Sequence, residues 1–142
     1  MPDRSTDLFG DEARIDDILQ RSHLWFIVGL SNNAERAAYR VAAVLAGIGK
    51  QIVPIHPSAP TVHGSTGYAS VAEATEALGP PDVVDVFVRS DLAGAVADQA
   101  IAAGAGAVWF QLEVIDEDAA RRVRAAGIDM VMDRCPAIEL RR

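Results

Sequence analysis

One cysteine, Cys135, stands in 142 residues, so no disulfide can form within the chain. That usage suits a reducing compartment, and the expected location is the cytoplasm. Positive charge is in the minority. Thirteen Lys and Arg face twenty Asp and Glu, a formal net charge of −7, which argues against nucleic acid as a partner. No apolar run approaches the roughly 20 residues of a membrane span, so no membrane association is expected. The N-terminal "MPDRSTDLFGDEARIDDILQ" has no apolar stretch of the kind a secretory signal needs. Two phosphate-binding signatures are also missing. The loop after the first apolar run holds a single glycine, Gly29, where a dinucleotide fingerprint wants three. The second such run ends in "IHPSA" without the acid that holds a ribose, and no GxxxxGK[ST] occurs. A nicotinamide-dinucleotide site and a P-loop nucleoside triphosphatase are both disfavoured.

Half of the residues are hydrophobic, enough for one domain with a real core. The chain reads as short apolar runs alternating with amphipathic segments. "LWFIVG", "QIVPIHP", "DVVDVFVRS", "AVWFQLEV" and "IDMVMD" read as strands buried on both faces. Pro54, which lacks an N–H, belongs near the end of its strand. Between the first two runs, Val41, Val44, Leu45 and Ile48 recur at helical spacing, and Gly47 and Gly49 end the helix. "SVAEATEAL" predicts a short helix. Leu92, Val96, Gln99, Ala100 and Ala103 mark another, with Ser90 or Asp91 as its cap. "DEDAARRVRAAG" has acids first and arginines later, in keeping with the helix dipole. The alternation predicts an α/β fold: a single doubly wound, mainly parallel five-stranded sheet with helices on both faces.

The first 21 residues are set apart as an acidic N-terminal extension, and residues 22–142 as the domain. Residues 1–10 read as disordered and 11–22 as a short helix with Ile15, Ile18 and Leu19 on one face. The first twenty residues carry six acids against two arginines, −4, leaving −3 for the rest. An anionic ligand is therefore open to the domain if its site lies away from the extension.

In such a sheet, ligands bind at the carboxyl ends of the strands. The first loop is "GLSNNAER". Gly29 permits a tight turn, Ser31, Asn32 and Asn33 are good helix caps, and a helix start attracts anions. Arg36 in the first turn is unfavourable there unless an anion binds, and Arg40 follows one turn later. Arg89 and Arg134 each follow a strand and are expected on the same edge. Three or four arginines would then converge on a polyanion. The alternative is pairing of Arg36 with a surface carboxylate, and of Arg89 or Arg134 with Asp85, Asp91 or Asp133.

"VGLSNNAERAAYRVAAVLAGIG", "IVPIHP", "VVDVFVRSD", "AIAAGAGAVWFQLEV" and "AARRVRAAGIDMVMDRC", in this order, resemble the stand-alone CoA-binding proteins of bacteria. These are relatives of the CoA-binding domain of the succinyl-CoA synthetase α-subunit. The resemblance covers about residues 22–140 and implies a Rossmann-like fold that binds CoA or acyl-CoA. It implies CoA-contacting roles for Gly29, Leu30, Ser31, Asn32, Arg36 and Tyr39 in the first loop and helix. It implies the same for His56 and Pro57 by the adenosine, and for Arg89 and Ser90 in a loop assigned to the fourth strand. Leu30 stands where the family usually has a small residue and is expected to crowd the loop. His56 replaces an asparagine, and Ser58 and Ala59 stand where a basic residue often contacts the 3′-phosphate.

The ligase's second domain, with its phosphorylated histidine, has no counterpart in this sequence, so the resemblance implies binding rather than catalysis. His23, His56 and His63 show no metal-ligand spacing with one another or with Cys135. His23 reads as structural, His56 as a ligand contact or a loop residue, and His63 as solvated. Cys135 reads as an unreactive, partly buried thiol, with a low-pKa thiol beside Arg134 as the alternative. Glu113 reads as a strand-end carboxylate that could face the site. Two other functions stay open: a subunit that supplies a CoA site to a separate acyl-CoA ligase or acyltransferase, and a scaffold for protein interaction that has lost its ligand. A homodimer is neither implied nor excluded.

Overall fold

The computed structural model describes residues 5–142. Five strands form one sheet: β1 (Leu24–Val28), β2 (Gln51–Ile55), β3 (Val83–Val86), β4 (Ala107–Phe110) and β5 (Asp129–Val131). All pairings are parallel, in the order β2-β1-β3-β4-β5. Helices α1 (Thr6–Phe9) and α2 (Glu12–Arg21) precede β1. Helices α3 (Ala37–Gly47), α4 (Val71–Leu78), α5 (Ser90–Ala103) and α6 (Glu117–Ala125) connect the strands, and α7 (Pro136–Glu139) follows β5.

The continuous apolar strands follow from helices on both faces. On one face Phe26, Val84, Val108 and Met130 pack beneath α4, α5 and α6. On the other, Trp25, Ile27, Trp109 and Val131 pack beneath α2 and α3. The indole rings of Trp25 and Trp109 lie 5.9 Å apart at 44°. Each buried indole N–H has an acceptor: Ser22 Oγ at 2.9 Å for Trp25 and the Arg134 carbonyl at 2.8 Å for Trp109. A buried carboxyl on this face has none among the described residues. Asp85 sits in β3 between Ile27 and Trp109. It is wholly buried, and among the described residues neither carboxylate oxygen has a hydrogen-bond partner. Loss of hydration pushes its pKa well above the usual carboxylate range.

Residues 5–10 are ordered, against the expectation of disorder; residues 1–4 lie outside the described residues. The reason is tertiary. Leu8 and Phe9 are buried on the α6 face, whereas Ile15, Ile18 and Leu19 of α2 are buried on the opposite face. The segment crosses the rim of β5 at Gly10, whose φ is +89°. There the Phe9 carbonyl accepts from Met132 N–H at 3.2 Å. Arg14 donates to the carbonyls of Thr6, Asp7 and Met130. The outer edge of β5 is thus covered. On the other outer strand, β2, Tyr68 N–H donates to the Pro54 carbonyl at 2.9 Å and His56 N–H to the Tyr68 carbonyl at 3.1 Å. Pro54 has no N–H to leave unpaired on that edge.

Two helix expectations change. In α3 the buried face is Ala38, Val41, Ala42 and Leu45, while Val44 and Ile48 are exposed. Small alanines let the helix approach the sheet, so the contact stripe is rotated from the one marked by the larger residues. In α5 the N-cap is Arg89, not Ser90 or Asp91.

Candidate functional site

β1 and β3 are neighbours, but the helices that follow them leave on opposite faces, α3 over the Trp25 face and α5 over the Phe26 face. A crevice therefore opens between their carboxyl ends, where the strand order reverses. Its floor is Gly29. With φ at +98°, a Cβ there would stand 3.2 Å from the Phe87 carbonyl oxygen, so the turn and the close approach to β3 both require glycine.

The rest of the first loop is braced from within. Leu30 does not crowd the crevice; its side chain is wholly buried in the core beside β1. Ser31 Oγ accepts from Asn33 N–H at 3.3 Å, Asn33 Oδ1 from Glu35 N–H at 3.1 Å, and Asn32 Nδ2 donates to the Thr61 carbonyl at 2.9 Å. These three side chains hold the loop rather than cap α3. The helix starts later, at Ala37, with Arg36 as its N-cap.

Side-chain capping differs among the helices. Asp11, Ser70 and Asp116 cap α2, α4 and α6 by accepting from the N–H three residues on. At α3 and α5 the N-cap is an arginine, Arg36 and Arg89, and neither caps through its side chain. The starts of these two helices face the crevice, a cavity of about 740 Å³ whose walls include Gly29, Arg36, Ala37, Ala38, His56, Pro57, Phe87 and Arg89. Free N–H groups at a helix start carry partial positive charge. Among the described residues Arg36 pairs with no carboxylate. Arg89 is tied to exposed Asp91 through Nε at 3.1 Å and Nη2 at 3.3 Å.

His56 stands at the end of β2. Its Nδ1 accepts from Ser58 N–H at 3.2 Å and lies 2.9 Å from Ser58 Oγ. That acceptor role puts the ring proton of the neutral tautomer on Nε2. The cavity continues along one face of α5, where Leu92, Val96 and Gln99 follow Arg89 at helical spacing, and its lining also includes Val28, Ile55 and Ala69. Leu92 is 48% exposed because it faces this cavity and not the core.

The other expected residues lie outside the walls. The rings of Tyr39 and His63 meet at 4.3 Å with a 46° tilt, and His63 Nε2 meets the Tyr39 carbonyl at 2.8 Å, so His63 is engaged rather than merely solvated. Ser90 follows β3, not a fourth strand; its hydroxyl donates to the Glu113 carbonyl and accepts from Ile115 N–H. Glu113 is tied there through its backbone and does not line the cavity. Arg40 donates to the Glu35 carbonyl. Arg134 lies beyond β5, which β3 and β4 separate from β1, and pairs with Glu139 at 3.6 Å. The convergent arginines are two, not three or four. His23 is exposed and contributes its backbone, donating to Asp82 and accepting from Gln51. Cys135 is buried.

Residues 23–141 match the family model described as a CoA binding domain. This chain belongs to that family. The uncharacterized protein YneT of Bacillus subtilis (strain 168) is 32% identical over 124 residues, covering 87% of this chain and 90% of the relative. A hypothetical protein from Pyrococcus horikoshii OT3 shares the architecture with a TM-score of 0.87 at 31% identity, over 99% of this chain and 96% of that one. A Thermus thermophilus structure superposes with a TM-score of 0.84 at 23% identity, over 92% and 97% of the two chains, and attests the fold alone. Sequence reasoning missed Phe87, Ser70 and Gln99 as cavity walls. The signal available for the last was its helical spacing from Arg89, which reads equally well as core periodicity.

Proposed function

We propose that this protein binds CoA or an acyl-CoA without transforming it, with the diphosphate held between the starts of α3 and α5. The observation that carries the reading is the pair of arginine N-caps, Arg36 and Arg89, at the only two connecting helices between strands that lack a side-chain cap among the described residues. Two helix starts and two guanidinium groups supply donors and positive charge on an otherwise acidic protein. Gly29 lets the backbone approach the phosphates. His56 and Pro57 border the adenosine end, and His56 Nε2–H is a donor left free of the Ser58 contacts that engage Nδ1. Leu30, Ser31, Asn32, Tyr39 and Ser90 act through the loops they brace.

Calorimetric titration with CoA, acetyl-CoA, dephospho-CoA, ATP and NAD at two salt concentrations tests the reading. CoA binding in the micromolar range that weakens with salt supports it. A folded protein that binds none of the five overturns it and favours a role in protein interaction. Copurification with a large ATP-binding partner would instead assign the chain as the CoA-site subunit of a ligase or acyltransferase.

A further inference from the structure

We infer that Gln99 reads the hydrogen-bonding edge of the ligand's adenine, making it a specificity-determining residue; the inference rests on the CoA reading above. Gln99 stands ten positions after Arg89, the N-cap of α5, about 15 Å along the helix axis. A helical side chain leans back toward the N-terminus, so the Gln99 amide closes one end of a slot whose other end is the arginine pair. Between them the lining is mostly apolar, with Leu92 and Val96 from α5 and Val28 and Ile55 from the strand ends. The Ser70 hydroxyl, which also borders the slot, accepts from Glu73 N–H at 3.1 Å as the cap of α4 and keeps its proton for one further acceptor, a single polar contact along this stretch.

The distribution of polarity selects the occupant. Both amides of a pantetheine arm lie along its length, and the side chains of Leu92, Val96 and Ile55 offer them no hydrogen-bond partner. A purine needs apolar contact on its two faces and polar contact only at its edge. Adenine offers an amino donor beside a ring-nitrogen acceptor, and a glutamine amide presents the matching acceptor and donor. The exposed amide of Gln99 makes no hydrogen bond within the described residues, so it is unspent.

The test uses the pantetheine-free half of CoA, adenosine 3′,5′-bisphosphate, and its counterpart with unsubstituted purine in place of adenine. The intact protein should prefer the adenine ligand about tenfold. Gln99→Leu, an exposed substitution whose folding is checked by an unchanged melting midpoint, should bind both ligands equally. It should also weaken CoA by the same factor while leaving 4′-phosphopantetheine unaffected. If Gln99→Leu keeps the preference for adenine, or weakens 4′-phosphopantetheine instead, the inference falls while the CoA reading stands. If the intact protein binds neither CoA nor the bisphosphate, both fall.

Discussion

Arg36 and Arg89 are counterparts: each is the N-cap of a helix that starts at the β1/β3 crevice, yet among the described residues only Arg89 is tied to a carboxylate, Asp91 at 3.1 Å. This asymmetry predicts unequal contributions to binding. Arg36→Ala should weaken CoA by roughly tenfold to a hundredfold, the scale of a hydrogen bond to a charged group. Asp91→Asn should release Arg89 and tighten CoA by about twofold to fivefold, the scale of an exposed ion pair. Titration at low and high salt checks both, and equal salt slopes for the intact protein and Arg36→Ala would contradict the phosphate contact.

Asp85 predicts a pH dependence of stability. Its pKa is raised in the folded state and ordinary in the unfolded one. Below the unfolded value both states are protonated and the group costs nothing. As pH rises toward the folded value, the unfolded state releases its proton and the folded state does not. Stability therefore falls by about 1.4 kcal/mol per pH unit over that window. Asp85→Asn should remove this slope. Its gain in denaturation midpoint over the intact protein should grow between pH 5 and pH 8; a constant difference would refute the account.

Gly29 should not accept a side chain. Gly29→Ala must hold alanine at φ +98° with its Cβ against the Phe87 backbone. A loss of about 1–3 kcal/mol in chemical denaturation is expected, together with weaker CoA binding. Gly64, also at positive φ but with open space around it, provides the control: Gly64→Ala should cost less and leave binding intact.

The segment before β1 should contribute to folding. Ile15 in α2 is wholly buried beside Trp25, so Ile15→Ala should cost about 2–5 kcal/mol. Denaturant unfolding measures it, and a change under 1 kcal/mol would show that α2 packs only loosely.

The strands and most helices were legible because buried parallel strands are unbroken apolar runs and amphipathic helices repeat. Strand order was not. Arg134 follows a strand just as Arg89 does, but β5 lies at the outer edge, and the spacing along the chain does not carry that information. Capping was misread where several polar residues adjoin: Ser31, Asn32 and Asn33 are consumed by the loop's own hydrogen bonds, which only the folded loop defines. Alanine is ambiguous as well: of the α3 stripe Val41, Val44, Leu45 and Ile48, the structure buries Val41 and Leu45 but turns Ala38 and Ala42 to the sheet in place of Val44 and Ile48. The order in residues 5–10 arises from Leu8 and Phe9 reaching a surface that α6 and β5 create.

The covering of the two outer strands bears on how the protein behaves when concentrated. A bare strand edge is a template on which a neighbouring chain can add its own strand. At β5 the Phe9 carbonyl and Arg14 occupy that template, and at β2 Tyr68 and Pro54 interrupt it. Growth of fibrils by strand addition is therefore disfavoured in the native state, and self-association that does occur has helical faces, such as that bearing Val44 and Ile48, as its available surface.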